Sequence, residues 1–430
     1  MTGEDAVLDV GPPAHGGHCV ARLEGRVVFV RHALPGERVR VRVTDRRSRF
    51  WRADAVEVLQ ASPDRVPSVW PEAGPGGVGG GELAHVALDA QRAWKRQVVA
   101  DTLRRIGGPD VAEQVADLAG QGQDVPPVEA VGADAQTDGL RTRTRIELTV
   151  DADGRAGMHR HRSHEVVALE EMPLAHEDIA ALDLLGDGSA WRRTWRPGAR
   201  VEAIAPSAGP PLVLLDGEPA TRGRRRSTGP PRRTVREVVP TAVGELSYRV
   251  SGSGFWQVHR AGPATLVGAV LDGAGTGLEG ARVLELYSGA GLLTLPLAMA
   301  VGDSGAVASL EGSDRAVRDA RRNLHQYPNA LLGAAHVTGD SVREAAGTGD
   351  LASGVDLVVL DPPRAGAGRE VMEAVTALRP ARVVLVACDP AALARDLAAA
   401  RAGGYVVASL RGLDLFPHTH HVEVVATLTR

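Results

Sequence analysis

The feature that most narrows the possible folds is a regular alternation of apolar strands and helical stretches after about residue 234. "ARVLELYSGAG", "GAVASLEGS", "VDLVVLDPPR" and "RVVLVACDP" are short buried-strand runs, each ending in a glycine, proline or acidic turn and leading into a helical stretch. Strands separated in this way pair in parallel within a doubly wound sheet, and such sheets bind ligands outside the carboxyl ends of their strands. A last strand, "HVEVVATLTR", closes the chain. The expected class is α/β, with a C-terminal doubly wound, Rossmann-like sheet over residues 241–430.

Upstream the rhythm changes. Between about residues 5 and 60, short alternating runs such as "RVVFV" and "ERVRVRV" flank the turn "LPGE", which predicts a small antiparallel, OB-like β-barrel. Barrels of this size often bind RNA. Residues 61–240 predict a mixed α+β region: a helix near 88–106, strands near 142–150 and 211–215, and two basic clusters, "RTRTR" and the loop "RGRRRSTGPPRR" (222–233). A chain of 430 residues, 43% of them apolar, is long enough for these units. It has no run of roughly 18 uncharged apolar residues, and "MTGEDAVLDV" lacks the basic and apolar regions of an export signal, so a cytoplasmic protein without membrane contact is expected. The only cysteines, Cys19 and Cys388, are too isolated to suggest a disulfide framework or a thiolate metal site. A net charge of −4 argues against a uniformly basic nucleic-acid binder, yet residues 21–52 hold ten arginines against Glu24, Glu37 and Asp45. That stretch is either a solvated β surface or a set of phosphate contacts.

"VLELYSGAGLLTLPLA" reads as a buried strand, a glycine turn and a helix. Gly289 and Gly291 would let backbone amides approach a ligand, and Glu311, ending the next strand in "LEGS", could accept both hydroxyls of a ribose. A dinucleotide and S-adenosylmethionine both fit so far. The dinucleotide asks for a third small residue where this chain has Thr294, which favours S-adenosylmethionine over a nicotinamide oxidoreductase. In "LVVLDPPRAGAGREV", two prolines fix a stiff loop at a strand end, with Asp361 as an acceptor in the crevice and Arg364 positioned to hold a target by charge.

Cys388 ends a strand, Asp389 is a good N-cap and Pro390 suits the first helical position, a setting expected to favour thiolate. Most methyl acceptors need no enzyme thiol. A pyrimidine C5 does, because addition at C6 is what turns C5 into a nucleophile, and a base must later remove the C5 proton. Glu423, flanked by valines in the last strand, is the candidate base, provided that strand is interior and not an edge with the carboxylate in water. His418, His420 and His421 make a poor metal site if the last two point oppositely on a strand.

With those residues in view, "FWQVH" (255–259), "VLELYSGAGLLTLPLA", "DPPRAGAG", "VACDPAALARDL" and "FPHTHHVE" closely resemble the motifs of TRAM-domain RNA uracil-5-methyltransferases, and "VVFVRHALPGERVRVRV" resembles their TRAM barrel. The resemblance implies that Gln257, Tyr287, Glu311 and Asp361 hold S-adenosylmethionine, that Cys388 is the nucleophile and that Glu423 is the base. Phe255 and Arg364 are the candidate substrate contacts, and the implied partner is structured RNA, transfer or ribosomal, met by a monomer. Three positions depart from the family pattern. Where cluster-bearing members have cysteines, this chain has Trp70, Val78, Gly81 and Met172, so no iron–sulfur cluster is expected. Asp389 replaces an asparagine and would oppose thiolate formation unless a partner such as an arginine neutralises it; with the missing cluster ligands this leaves open an RNA-binding relative that has lost catalysis, against which the retained Cys388 and Glu423 argue. "YSG" stands for "FCG", which should alter packing around the cofactor more than chemistry.

Overall fold

The alternation in "RVRVRV" becomes geometry directly. In the computed structural model, which describes residues 5–120, 122–222 and 231–430, Val39, Val41 and Val43 point into a barrel while the intervening arginines face outward. The barrel comprises β1 (Asp5–Ala14), β2 (His18–Leu23), β3 (Arg26–Arg31), β4 (Arg38–Arg46) and β5 (Phe50–Gln60), closed in the order β1-β2-β3-β5-β4. It is not wholly antiparallel as expected: β3 and β5 pair in parallel. The closing order requires this, because β4 runs antiparallel to both β1 and β5, so β5 must run along β3.

The arginine load of the barrel is partly neutralised across strands. Arg38 faces Asp9, Arg42 faces Asp5, Arg40 pairs with Glu57 at 2.7 Å, and Arg47 and Arg52 share Asp45. Arg26 and Arg46 stack on Trp51 at 4.8 and 4.6 Å. Such exposed pairs are weak and can be exchanged for phosphate contacts.

Helices α1 (Leu88–Thr102) and α2 (Pro109–Ala119), with the short strand β6 (Val128–Glu129), lie in the stretch read as central α+β but pack against the C-terminal sheet. Val99, Leu103, Val111 and Val115 share its core with Leu360, Leu385 and Leu393. The central sheet is formed by β7 (Arg145–Val150), β8 (Ala156–His159) and β9 (Val166–Ala168), then, after the short helix α3 (Glu177–Ala180), by β10 (Arg200–Ile204), β11 (Leu212–Leu215) and β12 (Glu218–Ala220). Its order is β12-β11-β10-β7-β8-β9. A hairpin of β13 (Thr234–Thr241) and β14 (Gly244–Ser251) follows. Residues 223–230, most of the basic loop at 222–233, lie outside the described residues.

The remainder alternates as its sequence requires: α4 (Gly262–Ala274), β15 (Arg282–Leu286), α5 (Thr294–Val301), β16 (Ala306–Glu311), α6 (Asp314–Asn323), β17 (Ala330–Ala334), α7 (Gly339–Ala346), β18 (Leu357–Leu360), α8 (Arg369–Ala377), β19 (Arg382–Ala387), α9 (Pro390–Ala402), β20 (Val406–Leu413) and β21 (Glu423–Thr429). The eight-stranded sheet runs β17-β16-β15-β18-β19-β21-β20-β6. Pairing is parallel from β17 to β19, and β21 inserts antiparallel between β19 and β20. Strand order reverses between β15 and β18, so the crevice outside their carboxyl ends is where such a sheet takes a ligand.

Candidate active site

At the end of β15 the chain turns sharply. Tyr287, Gly289 and Gly291 all have positive φ, at 65°, 56° and 87°. For an aromatic residue this conformation is strained, and it is held by the Tyr287 and Ser288 amides, which donate to Leu310 O at 2.9 and 3.3 Å. Burial raises the Tyr287 phenol to about 12, so it stays neutral. A Cβ added to Gly289 would meet nothing within 4 Å, which means the turn faces open space. Glu311, ending β16, receives the Gly289 amide on one oxygen at 2.9 Å and the Ser313 amide on the other at 2.7 Å. Each oxygen keeps a further lone pair for a donor from the crevice. Asp361, just after β18, is half-buried, and burial pushes its carboxyl up to about 7.

The turn after β19 carries the thiol. Asp389 caps α9 by accepting the Ala392 amide at 2.8 Å, with Pro390 in the first turn. Glu423 sits opposite: the register Ala387↔Val424 between β19 and β21, continued by one residue, sets Glu423 across from Cys388. The edge-strand alternative for Glu423 is ruled out, since β21 lies between two strands and Glu423 is 3% exposed. Burial, and then the neighbouring Asp361, raise its carboxyl well above the ordinary range.

The thiol itself departs from expectation. Burial, then Glu423, then Asp361 push Cys388 up to about 12, with the Arg364 guanidinium pulling the other way. The helix N-terminus that was to favour thiolate is outweighed by desolvation and by two acidic neighbours. Asp389 is not among the groups that raise the thiol; it is ionised, its carboxyl pushed up by burial but pulled down further by His15 and the Ala392 amide, to about 2. Its partner is a histidine of the barrel, not an arginine, with His15 Nε2 3.0 Å from Asp389 Oδ2.

Around this junction the histidines gather. His418 to His421 form a turn, not a strand, so the rings of His420 and His421 lie 4.1 Å apart instead of pointing oppositely. His421 faces Arg364 at 3.3 Å, and His420 faces Glu82 at 3.4 Å. Among the described residues no group of three or more such side chains is arranged to hold a metal ion.

The structure thus brings Cys388, Glu423, Asp361 and Arg364 together, and joins Gly289 to Glu311 beside them. Gln257 is buried before α4, and among the described residues its amide bonds to nothing in the protein, leaving it free for a ligand. Phe255 is 74% exposed on a loop whose carbonyls at Gly252 and Gly254 accept Arg145 at 2.9 and 3.0 Å. Sequence reasoning passed over Glu285, although "RVLEL" carries it openly. It is 1% exposed beneath the glycine turn, its Oε2 has no partner, and burial, opposed by the neighbouring Thr294 hydroxyl and assisted by Asp361 and Glu311, raises it to about 8.

The positions matched to cluster cysteines are apolar and meet in one place. Trp70, Val78 and Met172 belong to a single buried cluster, and a Cβ on Gly81 would sit 2.8 Å from the Trp70 ring. An indole packed among aliphatic side chains offers no thiolate ligand, and these residues do not fit an iron–sulfur cluster.

Known proteins resemble this chain over its whole length. Residues 1–56 match the TRAM domain family and residues 221–430 match the tRNA (uracil-5-)-methyltransferase family. An RNA methyltransferase of Streptomyces coelicolor, itself uncharacterised, is 44% identical over 100% of this chain and 93% of that protein. The 23S rRNA (uracil(1939)-C(5))-methyltransferase of Halomonas elongata is 32% identical over 96% of this chain and 87% of that one. The crystal structure of Pyrococcus abyssi tRNA (uracil-54, C5)-methyltransferase, in complex with S-adenosyl-L-homocysteine, covers 98% of this chain and 99% of its own with a TM-score of 0.67. At 21% identity that is a likeness of fold.

Proposed function

The chain belongs to the TRAM-containing RNA (uracil-5-)-methyltransferase family, and on that premise we propose that it methylates C5 of a uridine through a covalent bond between Cys388 and C6. It is an S-adenosylmethionine-dependent methyltransferase acting on RNA. S-adenosylmethionine supplies the electrophilic methyl. Glu311, Asp361, Tyr287 and Gln257 would hold it, a reading supported by the open face of Gly289, the spare lone pairs of Glu311 and the free Gln257 amide.

Cys388 adds to C6 as thiolate, with Arg364 the charged neighbour that favours this form. The electron pair moved to C5 makes that carbon nucleophilic towards the methyl. Glu423 then takes the C5 proton, the C5–C6 double bond re-forms, and the Cys388 thiolate leaves. A carboxylate raised by burial is a stronger base than one in water, which suits this step. The observation that carries the reading is the placement of buried Glu423 across the sheet from Cys388. Phe255, exposed on its clamped loop, offers a face on which an unstacked base can lie, and the barrel arginines offer phosphate contacts.

We place the enzyme in the cytoplasm as a monomer acting on structured transfer or ribosomal RNA; among the described residues no helix is long and apolar enough to cross a membrane. The reading of an RNA binder with impaired catalysis rests on Asp389 and on the missing cluster ligands; the retained Cys388 and Glu423, and the pairing of Asp389 with His15, favour the enzyme. RNA carrying tritium at C5 of uridine tests the site of methylation: tritium should be released in step with methyl transfer, whereas methyl transfer with full retention of tritium would place the reaction elsewhere.

A further inference from the structure

The tip of the β1–β2 hairpin is fitted against the residues around the nucleophile. Gly16 and Gly17 have φ of 93° and 75°, and a Cβ on Gly17 would come within 3.0 Å of Glu82 Cβ and 3.4 Å of His420 Cβ. Only glycine lets the tip dock this closely. The docking delivers His15 to Asp389 at 3.0 Å, while Asp389 Oδ1 accepts the Ala392 amide at 2.8 Å. The two oxygens of one carboxylate therefore have separate duties, one fixing the first turn of α9 and the other joining the barrel.

Asp389 directly follows Cys388, so its charge, left uncompensated, would oppose thiolate formation. Of the other charged groups that face the thiol, Glu423 comes from β21, and Asp361 and Arg364 from the loop after β18; none of them reaches Asp389, since Arg364 faces His421, and Glu82 faces His420, which His15 meets edge-on at 6.2 Å. We infer that His15, from the barrel, is a positioning residue for Cys388: it holds the outer oxygen of Asp389, keeps that charge compensated, and so makes barrel docking a condition of thiol reactivity. This rests on Cys388 being the nucleophile.

The test is the rate of Cys388 alkylation by iodoacetamide against pH in the full chain, with kcat and KM for methyl transfer measured alongside. Cys19 is fully buried, with its thiol on Ala33 O, so the folded protein reports Cys388. His15→Ala should slow alkylation about threefold to tenfold at neutral pH, move the profile upward by about half to one pH unit, and lower kcat with KM for RNA little changed. Asp389→Asn keeps the cap without the charge, so it should alkylate at least as fast as the unsubstituted protein, and adding His15→Ala to it should change nothing further. An unshifted profile in His15→Ala, an equal slowing in the Asp389→Asn background, or an effect confined to KM would each overturn the inference. Methyl transfer surviving in Cys388→Ala would instead overturn the reading beneath it, a separate result from any of these.

Discussion

Replacing Glu285 by glutamine should remove a pH-dependent destabilisation set by the structure. The carboxyl is buried at the end of β15 and raised from 4.5 to about 8. A group whose folded pKa is raised binds more protons folded than unfolded, so stability falls as pH rises from the unfolded value to the folded one and is flat above it. At pH 7 the unfolded carboxyl has lost its proton and the folded one retains it, a difference of about 2.5 pH units, or about 3 kcal/mol at about 1.4 kcal/mol per unit. At pH 5 the same difference is under about 1 kcal/mol. The glutamine amide carries its own burial cost, which does not vary with pH. The gap in stability between Glu285→Gln and the unsubstituted protein should therefore widen in the variant's favour by about 2.5 kcal/mol between pH 5 and pH 7. Hydrogen exchange of the Arg282–Leu286 amides, referred to intrinsic rates at each pH, reads that opening free energy. Parallel pH dependences in the two proteins would refute the reasoning.

Glu423→Gln should leave addition and methylation possible but block proton removal, lowering turnover by about 10²- to 10⁴-fold while a methylated protein–RNA adduct accumulates; intact mass of the complex checks this. Phe255→Ala should leave thermal stability unchanged, as the ring is 74% exposed, and weaken RNA binding by about 1–3 kcal/mol if it stacks on a base. Equilibrium titration with substrate RNA separates that from a loss in kcat. Trp70→Ala, which empties the centre of a buried cluster, should cost about 3–5 kcal/mol and show as a large fall in Tm of the central region without altering the affinity for S-adenosylmethionine.

The α/β order was legible because strand and helix periods differ and because each turn of the crevice is punctuated by glycine, proline or a cap. Gly289, Gly291, Glu311 and Asp361 occupy the strand ends that their sequence positions imply. What escaped notice depends on topology. Nothing local in "HHVEVVATLTR" distinguishes an edge strand from one inserted between β19 and β20, yet that difference decides whether Glu423 is buried. The thiol was misjudged for a related reason: a helix N-terminus is visible in sequence, but the acids of β21 and of the loop after β18 that oppose it come from other strands. The pairing of the barrel arginines is not legible locally, because acidic partners such as Asp5, Asp9 and Glu57 lie across strands and outside residues 21–52. His15 carried no signal at all, since its contact exists only once the barrel docks on the C-terminal sheet. Glu285 stands inside an apolar run, where the strand pattern alone gives it no separate signal.

The covalent step is tested most directly with substrate RNA in which the target uridine is replaced by 5-fluorouridine, incubated with S-adenosylmethionine. Fluorine at C5 cannot leave as a proton does, so the enzyme should stall as a stable complex with the RNA, and peptide mapping should find the nucleotide on Cys388. Absence of any trapped complex under conditions where normal RNA is methylated, or an adduct that persists in Cys388→Ala, would contradict the account.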